Sequence, residues 1–276
     1  MKLPPELEDV QRRWLELGRA EQDALYAKEF AEPFARLFAD FPLDSAPSDL
    51  PRPRALVSVL GLSWQPVALM AAWCKPERML VIGTQDSFKK QVQGEGVLSI
   101  IARVSGVAQE AIEPVRVGDD GEQAIYHAVR EFVVRSGTSP HEIFVDPTGG
   151  KKSISASAAL AAFLLGAPLV YVDYGEYHGD NRVPVPGTEY PRLLTNPLDV
   201  FGDLELRNAF AAFNRSDFLE AENLANSLAD RLYEPREAQC IALVARGYAA
   251  WDSTRSIAIM DLLHELSKER QVILLT

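Results

Sequence analysis

The chain has 276 residues, 47% apolar and 24% charged, enough for one large packed domain or two smaller ones and incompatible with global disorder. Its net charge of −11 excludes a broad nucleic-acid face, which would be basic, so any nucleotide must sit in a local positive pocket. The two cysteines, Cys74 and Cys240, lie far apart in apolar surroundings and are expected to be buried free thiols of a reducing compartment.

Residues 1–50 read as an N-terminal helical segment. The first turns carry Glu6, Glu8, Asp9, Arg12 and Arg13, which a signal peptide would not tolerate. Leu7, Val10, Trp14 and Leu17 recur at helical spacing, and Tyr26, Phe30, Phe34, Leu37 and Phe38 predict a second and third helix with Pro33 at a boundary. These aromatics fit core packing better than a base-stacking platform. A linker rich in Pro, Ser and Asp follows, from Pro42 to Pro53.

From Arg54 to about residue 200 the pattern alternates between strand and helix. Strands are predicted at 55–60, 78–82, 112–117, around Ile143 and at 169–173. Helices are predicted from after Pro66 through Trp73, at 97–104, at 121–134 and at 154–165. Strands separated by helices of this length imply an α/β fold with a doubly wound, mostly parallel sheet. The apolar run from Ile154 to Val172 is broken by serines and by Gly166-Ala167-Pro168, so it reads as helix, turn and strand rather than a membrane span. The protein is expected to be soluble and cytoplasmic.

The stretch 171–191, with its Gly175, Gly179 and Gly187, predicts a β-hairpin extension, either a plain edge hairpin or a flap facing a ligand or partner. Residues 201–276 read as a helical connector. Phe210, Phe213, Phe218, Ala221, Leu224 and Leu228 predict two helices joined at Asn214-Arg215-Ser216. Two more are predicted at 237–251 and 255–268, with Ile259, Leu262, Leu263 and Leu266 on one face. The apolar end, Val272 to Thr276, lacks a stop signal and suggests continuation into an effector domain.

The most informative stretch is Asp146-Pro147-Thr148-Gly149-Gly150-Lys151-Lys152-Ser153, a glycine turn between a strand and a helix. Helix-start amides without intrahelical partners, two glycines without Cβ atoms, and Lys151 or Lys152 together suit an anion, with a plain capped turn as the bland alternative. A Walker loop fails, because Val145 stands where its first Gly belongs and Lys152 where its Ser or Thr belongs. Polar loops at 61–66, 83–87 and 146–153 all follow strand ends, where ligands bind such sheets. A dinucleotide fingerprint is absent from the first loop, which lacks its second and third glycines.

These residues resemble the CRISPR-associated Rossmann fold, or CARF, sensor domains of type III CRISPR systems. The resemblance rests on Val59-Leu60-Gly61-Leu62-Ser63, Ile82-Gly83-Thr84, the Asp146–Lys152 turn, Ala167 to Tyr174 and Pro186-Gly187-Thr188-Glu189, and covers about 54–200. Lys152 departs from the commoner family form, which has Thr there. The resemblance implies a Rossmann-like sheet and binding of a cyclic oligoadenylate, of four or six adenylates, across the axis of a homodimer. No cofactor, metal or membrane partner is expected for this chain. Gly149, Gly150, Lys151 and Ser153 would meet phosphates, with Asp146, Thr148 and Lys152 counted in the same ligand-binding turn. Gly61, Leu62, Ser63, Trp64 and Gln65 would line one wall, and Thr84, Gln85 and Ser87 would meet adenine or ribose. Trp64 has an equal alternative as a residue tucked back on the sheet.

Family members usually couple the sensor to an effector. Arg135…His141 is the one approach to a ribonuclease Arg–His motif, and its spacer Ser136–Pro140 is a turn. Neither cysteine has the companions of a zinc deaminase site. His127 and His264 fall in helical stretches as ordinary histidines. Three functions remain: a ligand-gated sensor controlling an effector, a ring nuclease using Ser63, Thr148 and Lys151, or a nucleotide or sugar-nucleotide enzyme on a generic Rossmann-like sheet.

Overall fold

The computed structural model describes residues 3–47, 50–118, 121–179, 183–197, 202–230, 232 and 235–270. They form two compact units, Met1–Leu194 and Thr195–Thr276. The first is a six-stranded sheet between helical layers. Its strands are β1 (Ala55–Leu60), β2 (Arg78–Gly83), β5 (Ile112–Arg116), β6 (Ile143–Asp146), β7 (Leu169–Tyr174) and β10 (Glu189–Leu194). Their order is β10-β7-β6-β1-β2-β5, parallel except for β10, which runs antiparallel to β7. β1 and β6 are neighbours, with Ser58 opposite Asp146.

Alternation along each strand sorts the core into two faces. Leu56, Leu60, Met79, Val81, Phe144, Val170 and Val172 pack on one side with α4 (Gln65–Cys74) and α6 (Val97–Ser105). Val57, Val59, Leu80, Ile82, Ile143 and Val145 pack on the other with α7 (Glu122–Ser136) and α8 (Lys152–Leu165). The helix after β1 and the helix after β6 therefore leave adjacent strands towards opposite faces, which opens a crevice at their carboxyl ends.

Outside α4 and α6 lie α1 (Pro5–Leu15), α2 (Arg19–Leu25) and α3 (Ala31–Phe38). Leu7, Val10 and Trp14 are buried as the spacing predicts, whereas Leu17 lies past the end of α1. Pro33 is inside α3 rather than at its boundary. It has no N–H to give to the preceding turn, and that turn, Tyr26–Phe30, is a wide π-type turn in which the Ala31 N–H reaches back to the Tyr26 carbonyl. Phe30, Phe34 and Phe38 are wholly buried and stack in sequence with centroids 5.2 and 6.1 Å apart.

Two short features had no clear sequence signal: α5 (Gln85–Lys89), and a ribbon of β3 (Gln91–Val92) with β4 (Glu95–Gly96). The predicted hairpin extension is present as β7 and β10, with a small outer ribbon of β8 (Tyr177–His178) and β9 (Val183–Pro184). It leans on α1. Gln11 Nε2 donates to the Pro186 carbonyl at 2.6 Å, and Trp14 meets the edge of His178 at 6.2 Å. Position 180 and 181, also read as part of this hairpin, lie outside the described residues.

The second unit contains α9 (Asp203–Asn214), α10 (Phe218–Ala229) and α11 (Arg236–Arg270). The predicted break near 252–254 does not occur, and α11 runs unbroken for 35 residues. No Gly or Pro interrupts it there, and the Thr254 hydroxyl donates to the Ala250 carbonyl within the helix. Its core is built largely from Ala209, Ala225, Leu228, Ala238 and Ile241, while Phe210 is exposed. The side chains of Ile259, Leu262, Leu263 and Leu266, and the apolar end 272–276, lie outside the described residues. Among the described residues, no helix is long and apolar enough to cross a membrane.

Candidate functional site

The glycine turn and the loop after β1 are locked together. A Cβ on Gly61 would stand 2.0 Å from the Gly149 carbonyl oxygen, and one on Gly149 would stand 2.6 Å from the Val59 carbonyl oxygen. A Cβ on Gly150 would collide with Val59 Cγ1 at 2.3 Å and with Ser155 Oγ at 2.7 Å. The glycines are therefore required for one loop to lie over the end of β1, a packing role that the sequence reading assigned to ligand approach.

Asp146 and Thr148 fix the turn from beneath. The buried Asp146 carboxylate accepts from the Thr148 N–H at 3.0 Å, from the Thr148 hydroxyl and from the Ser58 hydroxyl at 3.2 Å. Burial pushes its carboxyl up to about 6, against the pull of the Thr148 and Ser58 hydrogen bonds. Thr148 Oγ1 also accepts from the Val172 N–H at 2.9 Å, which ties the turn to β7. Ser155 Oγ closes the loop onto the Pro147 carbonyl at 2.6 Å. Of the three groups considered for ring cleavage, Thr148 is thus already committed to structure.

Above this base is an open cleft of about 670 Å³, within the usual range for small-molecule sites. The three predicted loops converge on it: Gly61, Leu62 and Ser63; Thr84, Gln85 and Ser87; Thr148, Gly149, Gly150 and Lys151 all line it. Lys151 precedes α8, whose first turn has no side-chain cap and keeps amides without intrahelical partners. Thr84 Oγ1 accepts from the Ser87 N–H at 3.3 Å and lies 3.0 Å from Ser87 Oγ, so this pair chiefly caps α5.

Five predicted residues do not line the cleft. Asp146 is beneath the turn, and Lys152 and Ser153 are exposed on the first turn of α8. Trp64 is 1% exposed and meets Tyr26 edge-on at 5.8 Å, so its tucked-back alternative holds. Gln65 Nε2 donates to Asp23 Oδ1 at 3.3 Å. Lys90 Nζ donates to the Leu62 carbonyl at 2.6 Å and pairs with Asp23 at 3.3 Å, so α2 holds the loop after β1 from behind.

The cleft also takes in Asp86, Val117, Gly118, Tyr171 and Tyr174, which the sequence reading missed. Val117 and Gly118 could be found only from the strand order; along β7, alternation puts Tyr174 on the face of Val170 and Val172 and Tyr171 on the opposite one. Behind the shared wall of Ser63, Pro66 and Tyr174 is a small chamber lined by Tyr26, Gln65 and Glu189. Burial pushes the Glu189 carboxyl up to about 7, although the Gly187 N–H donates to it at 2.6 Å. The Tyr26 hydroxyl and Gln65 Oε1 face no partner among the described residues. Such a chamber suits ordered water.

Other candidate centres do not assemble. Among the described residues, no group of His, Cys, Asp and Glu could hold a metal ion. Arg135 pairs with Glu113 at 2.8 Å, and His141 sits in a separate short turn. Cys74 is a buried thiol whose pKa burial raises, but Cys240 is exposed on α11, contrary to expectation.

Residues 201–273 match the family model of the Csm6 6H domain. The CRISPR system endoribonuclease Csm6 of Thermus thermophilus is 27% identical over 213 residues, covering 74% of this chain and 43% of the relative. The chain thus spans under half the length of that relative. Among solved structures, Enterococcus italicus Csm6 bound to cyclic hexa-2'-fluoro-hexa-dAMP is 11% identical, covering 80% of this chain and 60% of that one, with a TM-score of 0.49. Can2 of Sulfobacillus thermosulfidooxidans in complex with cyclic tetra-adenylate is 14% identical, covering 74% and 68%, with a TM-score of 0.37.

Proposed function

We propose that this chain, a CARF-domain protein of the type III CRISPR kind, captures a cyclic oligoadenylate in the cleft at the carboxyl ends of β1, β2 and β6. The observation that carries the reading is the convergence of the Gly149–Lys151 turn with the loop after β1 in one open cleft. Backbone amides of the turn and the Lys151 ammonium supply positive potential to a phosphodiester, in a protein whose net charge is −11. Exposed Leu62 and the tyrosines of β7 offer apolar surface to bases.

The finer reading adds a second copy of the chain. The outer face of α8 carries Ser153, Ala156, Leu160 and Leu164 at helical spacing, all exposed, with Leu160 at 61% and Leu164 at 59%. The apolar part of this face, Ala156, Leu160 and Leu164, suits a twofold interface, and a ring with even symmetry suits a twofold site. Capture would then control an effector activity through differential affinity for two dimer arrangements, with the helical unit carrying the signal.

Titration calorimetry of the purified protein with cyclic tetra- and hexa-adenylate, and with NAD and a sugar nucleotide as comparators, tests the reading. Saturable binding of a ring alone is expected. Equal or better binding of NAD or the sugar nucleotide would overturn it in favour of a nucleotide enzyme.

A further inference from the structure

The chamber behind the cleft wall, about 50 Å³ in volume, has a lining that ring capture leaves unused. It lies wholly within the first unit, where α2, the turn Tyr26–Phe30, the start of α4 and the first residue of β10 come together. Tyr26 is 3% exposed, and its hydroxyl has no hydrogen-bond partner among the described residues. The Gln65 amide nitrogen donates to Asp23 Oδ1 at 3.3 Å, which orients the amide and leaves its Oε1 buried without a partner. Glu189 is 5% exposed, and the Gly187 N–H donates to its carboxylate at 2.6 Å. β10 sets Glu189 opposite Tyr174 of β7, so its side chain stands on the face of the sheet that carries the opening helices.

Charge selects what belongs there. Among the described residues no cationic side chain pairs with Glu189. Arg19, the one cationic residue of the described lining, is half exposed and lies 3.8 Å from Asp23. Water alone would satisfy the hydroxyl and the amide oxygen, but it would leave a buried carboxylate without a countercharge. The three groups offer oxygen only, which suits a hard cation. One carboxylate with two neutral oxygens is too little charge for a tightly held divalent ion, and the absence of a His, Cys, Asp and Glu cluster among the described residues agrees. The volume takes roughly three or four water-sized spheres, enough for an ion that keeps part of its hydration.

We propose that this chamber is a site for one monovalent alkali-metal cation, held by the Glu189 carboxylate, Gln65 Oε1 and the Tyr26 hydroxyl, with water completing its shell. The ion braces the wall of Ser63, Pro66 and Tyr174 that the chamber shares with the cleft. The site stands apart from the ring-binding reading, and none of its tests uses a ring.

Thermal melting of wild type, Glu189→Gln and Tyr26→Phe in potassium, sodium and choline chloride at equal concentration is the test, in weakly alkaline buffer where the Glu189 carboxyl is ionised. Wild type should melt about 2–4 °C higher in an alkali salt than in choline, the rise given by a ligand a few-fold above its Kd. Potassium against sodium reads the size preference. Glu189→Gln should lose the rise, and Tyr26→Phe should lose most of it while melting no lower than wild type in choline. Crystals soaked in rubidium chloride should show an anomalous peak in the chamber, which decides the matter even where a variant fails to fold. Equal melting of wild type in all three salts overturns the proposal in favour of a protonated carboxyl with water. A rise kept in full by both variants, or a rubidium peak elsewhere alone, overturns it as well.

Discussion

Gly61 and Gly149 meet so closely that a single Cβ on Gly61 would lie 2.0 Å from the Gly149 carbonyl oxygen. Two loops from neighbouring strands are thereby pressed into one surface, and the cleft exists only while they stay in contact. Gly61→Ala should cost about 1–3 kcal/mol through overpacking. Thermal or urea unfolding should show the loss without ligand present. A fully stable Gly61→Ala variant would mean the loops do not interlock.

Lys151→Ala tests charge rather than packing. It should weaken ring affinity about tenfold, the scale of one charge-assisted hydrogen bond. The variant should also flatten the dependence of affinity on salt. Its melting temperature should stay close to wild type. Unaltered affinity at low and high salt would move the phosphate elsewhere.

Thr148→Val removes the hydroxyl that links Asp146 to the Val172 N–H. The variant keeps the shape but leaves a buried acceptor and an amide short of partners, at a cost of about 1–3 kcal/mol. Unfolding titrations read this directly. A neutral outcome would show that the link contributes nothing.

Glu189 gives stability a pH dependence. Its folded pKa of about 7 lies above the ordinary 4.5, so the folded state holds a proton that the unfolded chain has released. Stability from this group is fully present below about 4.5 and is lost as pH rises through about 7. Glu189→Gln should therefore melt higher than wild type at pH 8 and lose that advantage at pH 5. Asp146, at about 6, acts with the same sign in the window above 3.8. Parallel melting curves for Glu189→Gln and wild type across that range would refute the assignment.

Much of the first unit was legible because its central strands β1, β2 and β6 are short apolar runs buried on both faces, and because α6, α7 and α8 end at Gly106, Gly137 and Gly166. The cleft was legible through three polar loops at strand ends. What the sequence could not give was direction. Trp64 follows a strand as a ligand-facing residue would, yet the Tyr26 side chain and the N-terminal helices offer it a core site. Gly149 and Gly150 carry the same letters whether they admit a ligand or a neighbouring backbone. Asp86 went unnoticed because an acidic residue in a helical first turn is unexceptional until the cleft is seen around it. α11 runs on through 252–254 because neither Gly nor Pro interrupts it there, and the Thr254 hydroxyl turns back to the Ala250 carbonyl instead of capping a new helix.

Asp23 belongs to α2, before the first strand, yet it grips both Gln65 and Lys90, and Lys90 grips the backbone at Leu62. The opening helices therefore act as a buttress for one bank of the cleft. Trimming the protein back to its sheet would strip that support, and the excised piece would be a poor stand-in for the parent in any binding assay.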